Sequence, residues 1–104
     1  MPLPSPEAYL DVLVDEDILD MIDDFLHNQR AEVEKLRQAM ANGDRDSCRR
    51  IGHTMKGVGG MYGFHWLSLV ALEIEHASKE DPTQLPPLVE MLAGYLERVQ
   101  YRPG

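Results

Sequence analysis

The chain has 104 residues, 43% of them hydrophobic, with a formal net charge of −8 and a single cysteine. That length makes one ordinary domain. The acidity argues against a nucleic-acid surface, which needs clustered Lys and Arg, and Cys48 alone cannot form an internal disulfide, as expected of a reducing, cytoplasmic setting. No apolar run nears the roughly 18 to 20 residues that span a bilayer, and the N-terminus has neither the basic nor the apolar region of a secretory signal.

Pro2, Pro4 and Pro6 delay any helix start, so residues 1–14 read as an N-terminal segment with room for one short helix in EAYLDVL. Asp15 then caps a long helical pattern, with acidic residues in its first turn where the helix dipole favours them. Its apolar stripe is Ile18, Met21 or Ile22, Phe25, Val33, Leu36 and Met40, and Asn42-Gly43 ends it. Asp44 caps a second helix through residue 62, with Cys48, Ile51, Met55, Val58 and Tyr62 inward. Gly63 stops it. A third helix from about His65 to Ser78 turns Trp66 or Leu67, Val70, Ile74 and Ala77 inward. KEDPTQLPP reads as a loop, and a last helix from about Leu88 to Tyr101 carries Leu88, Met91 or Leu92, Tyr95 and Val99. No stretch alternates with a strand's period. The expectation is a single domain over 1–104, all-α, with an antiparallel up-down four-helix bundle over 15–101.

The charge is unevenly spread. Residues 1 to 44 hold eleven acidic and three basic side chains, whereas residues 45 to 56 hold Arg45, Arg49, Arg50 and Lys56 against Asp46 alone. At roughly 100° per residue, the apolar stripe of the second helix lies within about 40° of the direction opposite His53. His53 therefore faces outward, with Arg49 one turn before it, Lys56 and Gly57 one turn after, and Gly60 two turns after. A helix-interior glycine costs about 0.5 to 1 kcal/mol relative to alanine, so Gly52, Gly57, Gly59 and Gly60 need a reason. Gly52 and Gly59 lie toward the flanks and suit close packing by a neighbouring helix. Gly57 and Gly60 lie under the histidine and leave room for another protein's surface. An exposed neutral imidazole is a competent phosphoryl acceptor, and a nearby lysine offsets phosphate charge.

HTMKGVGGMYG, residues 53 to 63, together with Phe64, resembles the phosphohistidine signature of histidine phosphotransfer (HPt) domains. The likeness extends over roughly residues 15 to 80, although Val58 stands where Ser, Ala or Gly is usual. It implies a phosphocarrier with His53 as the phosphorylated nucleophile, Lys56 stabilising phosphate charge and Gly57 as the position of partner approach. Gly60 and Arg49 join as partner-contact candidates, though Arg49 is more readily an ordinary surface charge. Antiparallel geometry about Phe64 brings Glu75 level with His53. In the chemotaxis-kinase type of HPt domain a glutamate so placed orients the imidazole, whereas composition alone leaves Glu75 a solvated charge.

The resemblance implies a monomer that exchanges phosphate with response-regulator receiver domains and a sensor histidine kinase, in the cytoplasm, with no cofactor of its own. Mg²⁺ is expected in the receiver. No nucleotide-binding motif is present, so autonomous kinase activity is not expected. Two rivals stand beside this reading: a phosphoacceptor domain loaded directly by a kinase, and a helical docking module without phosphoryl chemistry. His27, His65 and His76 suggest no metal site, and Cys48 on the apolar stripe reads as a buried, inert thiol.

Overall fold

The computed structural model describes residues 3–104. Ser5 caps a 3₁₀ turn, Pro6–Tyr9, so the short helix expected in EAYLDVL is realised only over its first residues. A strand follows, β1 (Asp11–Val14), then a second 3₁₀ segment, Glu16–Met21, capped by Asp15, whose Oδ1 accepts from the Asp17 amide at 2.9 Å. The long acidic pattern is therefore 3₁₀ for its first turns and becomes α1 (Ile22–Ala41) only afterwards. Tight i→i+3 bonding is common at such helix ends.

Three further helices complete the bundle: α2 (Arg45–Met61), α3 (His65–Glu80) and α4 (Leu85–Arg98). Each packs on its sequence neighbour, and α4 closes back onto α1, as expected of an up-down four-helix bundle. Arg30 donates to the Leu96 carbonyl at 3.0 Å across that closing seam. Two glycines in the left-handed region, Gly43 (φ 66°) and Gly63 (φ 85°), end α1 and α2. After each, an amide reaches back five residues, Asp44 to Ala39 at 2.8 Å and Phe64 to Gly59 at 2.9 Å. This satisfies the terminal carbonyls while reversing the chain.

The core is aromatic and aliphatic, with Trp66, Tyr95, Phe64, Ile22, Leu36, Met55 and Leu92 fully buried. Both Trp66 and Leu67 point inward. Ile22 and Leu92 are the buried members of their pairs, while Met21 and Met91 are exposed. Ile18, Met40, Ile51, Val58, Tyr62 and Leu88 are partly buried rather than central.

Three boundaries differ from the sequence pattern. α3 runs to Glu80, and the segment read as one loop contains a 3₁₀ turn, Pro82–Gln84, and the start of α4. Pro86 and Pro87 fit there because first-turn amides have no intrahelical acceptor to lose. α4 ends at Arg98, where Val99 adopts an extended conformation. The chain then enters β2 (Gln100–Pro103), which pairs in parallel with β1 in the register Asp11↔Gln100 to Val14↔Pro103. The expectation of no strands is thus corrected. Among the described residues, no helix is long and apolar enough to cross a membrane.

Candidate functional site

Asp44 starts α2 by accepting from the Ser47 amide at 3.1 Å and the Ser47 hydroxyl at 2.6 Å. These bonds hold its carboxyl below the ordinary range. The helix then lies unusually close to α3. A Cβ on Gly52 would sit 3.0 Å from both the Ala71 carbonyl oxygen and the Glu75 amide nitrogen, and one on Gly59 would sit 3.2 Å from the Ser68 amide nitrogen. Both glycines are therefore required by the approach of α3, as their flank positions suggested.

That approach carries Glu75 to the histidine. The Glu75 side chain is only 11% exposed, and its two oxygens have different partners: Oε2 lies 3.1 Å from His53 Nδ1, and Oε1 accepts from Lys56 Nζ at 3.2 Å. Burial pushes the Glu75 carboxyl up, but the hydrogen bonds and charges of Lys56 and His53 outweigh it and hold the group below its ordinary value. Glu75 is therefore a carboxylate near neutral pH and can only accept, so His53 Nδ1–H is the donor. In the neutral ring the tautomer follows: Nε2 carries the lone pair. The His53 side chain is 64% exposed, and Nε2 has no hydrogen-bond partner among the described residues.

The surface around Nε2 is open. A Cβ on Gly57 would meet nothing within 4 Å, and one on Gly60 only the Ser68 hydroxyl at 3.8 Å. Beside Gly60, Met61 is 76% exposed. Ser68 donates to the Lys56 carbonyl at 2.9 Å, pinning α3 to the turn of α2 that bears the lysine. No sequence signal marked Ser68, since a serine in a helix is ordinary unless the facing helix is known.

The basic stretch is more internally paired than its composition suggests. Arg45 donates to the carbonyls of Ser78 (2.9 Å) and Lys79 (2.6 Å) and so caps α3. Arg49 and Arg50 share Asp46 at 2.9 and 3.3 Å. Arg49 keeps its place one turn before the histidine, but as one member of this exposed cluster. His27, His65 and His76 are exposed, the last two about three turns apart along α3, and no three His, Cys, Asp or Glu side chains gather to hold a metal among the described residues. Cys48 is buried, and its burial pushes the thiol up, away from the reactive thiolate.

An up-down helical bundle whose second helix holds His53 exposed, with its inner nitrogen on a buried carboxylate, suits the class of histidine phosphocarrier modules. The chain belongs to the Hpt domain family, whose model matches residues 20–101. It is accordingly a histidine phosphotransfer module of two-component signalling, a family whose members work with kinases and receiver domains. No curated protein and no solved structure gave a match.

Proposed function

We propose that the protein relays a phosphoryl group between aspartates of response-regulator receiver domains, carrying it on His53. One observation carries this reading: His53 Nε2 stands unpartnered on a bare face while Nδ1 is held by Glu75. In-line attack by Nε2 forms the N–P bond as the P–O bond to the receiver's aspartate breaks, and the aspartate leaves as a carboxylate with the bonding pair. Nδ1 keeps its proton, and Glu75 stabilises the positive charge that grows on the ring. Lys56, already beside that ring, turns its ammonium to the phosphoryl oxygens. Gly57 and Gly60 leave the partner room, and Arg49 offers it a basic contact. The receiver supplies Mg²⁺, this chain needs no cofactor of its own, and transfer in the reverse sense discharges the carrier to a second receiver.

The test mixes the purified protein with receiver domains charged by acetyl phosphate and follows intact mass beside a His53→Gln control. The wild type gains one acid-labile phosphate and the control gains none. If no receiver loads a folded wild-type protein, the relay reading fails. The His53–Glu75 contact favours a second reading within the family, loading by a kinase's ATP-bound domain, since the chemotaxis-kinase type orients its histidine in this way. Phosphate gained from a sensor kinase but from no receiver selects it.

A further inference from the structure

Four basic side chains stand on α2, Arg45, Arg49, Arg50 and Lys56, and they differ in how firmly each is held. Arg45 donates to two carbonyls of α3, at 2.9 and 2.6 Å. Lys56 donates to Glu75, whose side chain is 11% exposed, so a lysine that leaves strands a nearly buried carboxylate oxygen. Arg50 bonds both to Asp46 at 3.3 Å and to the Ser47 hydroxyl at 3.1 Å. Arg49 has one contact, a 2.9 Å bond from Nη2 to Asp46, and that carboxylate is 66% exposed. Its Nε and Nη1 have no hydrogen-bond partner among the described residues. An exposed pair of this kind breaks at little cost, because water takes the place of either partner.

Position selects the same residue. Arg49 and Lys56 stand at i−4 and i+3 from His53, which at roughly 100° per residue puts them about 40° and 60° round the helix from it, both on the same side. A helical side chain leans toward the N-terminus of its helix, so the imidazole tilts over the turn that bears Arg49, and Lys56 leans toward the imidazole from the turn behind. We propose that Arg49 releases Asp46 and, together with Lys56, clamps the phosphoryl group carried on His53 Nε2, a reading that rests on His53 as the phosphorylated residue. A protein-bound phosphoryl group carries roughly −1.5 to −2 charge near neutral pH, against the single charge of Asp46, so it wins the guanidinium. The parallel N–H groups of the guanidinium suit two phosphoryl oxygens. Asp46 is the resting partner that holds Arg49 one turn from the ring until that charge arrives.

The test loads the purified protein with phosphoramidate, a small donor that phosphorylates histidine without any receiver, and follows the ³¹P resonance of phospho-His53 against pH, with His53→Gln assigning the resonance. The charged groups around it are Arg49, Arg50, Asp46, Lys56 and, from α3, Glu75. A guanidinium on the phosphoryl oxygens favours the dianion, so Arg49→Gln is expected to raise the proton affinity of the group roughly threefold, with part of the wild-type value restored in Arg49→Lys. Arg50→Gln removes the same charge from the same turn and is expected to shift it far less. Asp46→Asn is expected to lower the proton affinity, and to do so only while Arg49 is present, since it acts by freeing that side chain. Equal shifts in Arg49→Gln and Arg50→Gln, or an Asp46→Asn effect that persists without Arg49, reduce Arg49 to background charge and overturn the clamp. So does a folded protein that phosphoramidate leaves unphosphorylated at His53. A protein that shows the expected shifts yet exchanges phosphate with no receiver keeps the clamp and loses the relay.

Discussion

The two sides of α2 use the same residue for opposite ends. Toward α3, Gly52 and Gly59 are absences filled by another helix, whose backbone comes to 3.0 and 3.2 Å of where a Cβ would sit. Toward solvent, Gly57 is an absence left empty, with nothing within 4 Å. The filled side holds the chemistry in place, because the amide of Glu75 lies against Gly52 and its carboxylate reaches His53 and Lys56 from there. The empty side gives access. Glycine content alone does not distinguish a residue removed for packing from one removed for a visitor; the position of the facing helix does.

That contrast can be broken most directly at Gly52. Gly52→Ala is expected to cost about 1 to 3 kcal/mol in a denaturant melt, since backbone on both sides must shift and the gain in helix propensity is smaller. An unchanged midpoint refutes the close approach. Glu75→Gln keeps the shape but gives up charge-assisted bonds, with an expected loss of about 1.5 kcal/mol at neutral pH. The pH dependence has a definite sign. A carboxyl held below its ordinary value contributes fully above the unfolded-state value of about 4.3 and loses that contribution as pH falls through the lower folded value. The wild type therefore shows an acid-side decline in stability that is shallower in Glu75→Gln; matching acid limbs contradict the Glu75 assignment. Ser68→Ala removes the pin to the Lys56 carbonyl, for an expected loss of about 1 kcal/mol. On the open side the sign reverses. Gly57→Ala is expected to gain about 0.5 to 1 kcal/mol from helix propensity while slowing phosphate transfer. Transfer at the wild-type rate in a stabilised Gly57→Ala protein shows that the bare surface is not there for a partner.

The bundle and its turns were legible because their signals are local. Asp44 as a cap, Gly43 and Gly63 as stops and the apolar stripes each act within a few residues. His53 could be placed outward from the stripe of its own helix, and Gly52 and Gly59 could be assigned to packing from their angles alone. The strands were not legible. DVLV and QYRP are four residues each and bonded to partners at the far end of the chain, so neither has a local pattern to show. The start of α4 was hidden by Pro86 and Pro87, which read as breakers although a first turn tolerates them. The pairing of Arg45 with carbonyls of α3 depends on what stands opposite, which no single helix reveals.

The parallel pairing of β1 with β2 gives the domain a mechanical property. Both strands run the same way, in register from Asp11↔Gln100 to Val14↔Pro103, so tension applied at the two ends drags one strand lengthwise past the other. Their hydrogen bonds then share the load as a lap joint does, instead of peeling apart singly. The helices feel no pull until that joint slips. In a force-extension trace this is a first rupture ahead of any helix unfolding, and a trace in which the helices yield first rules it out.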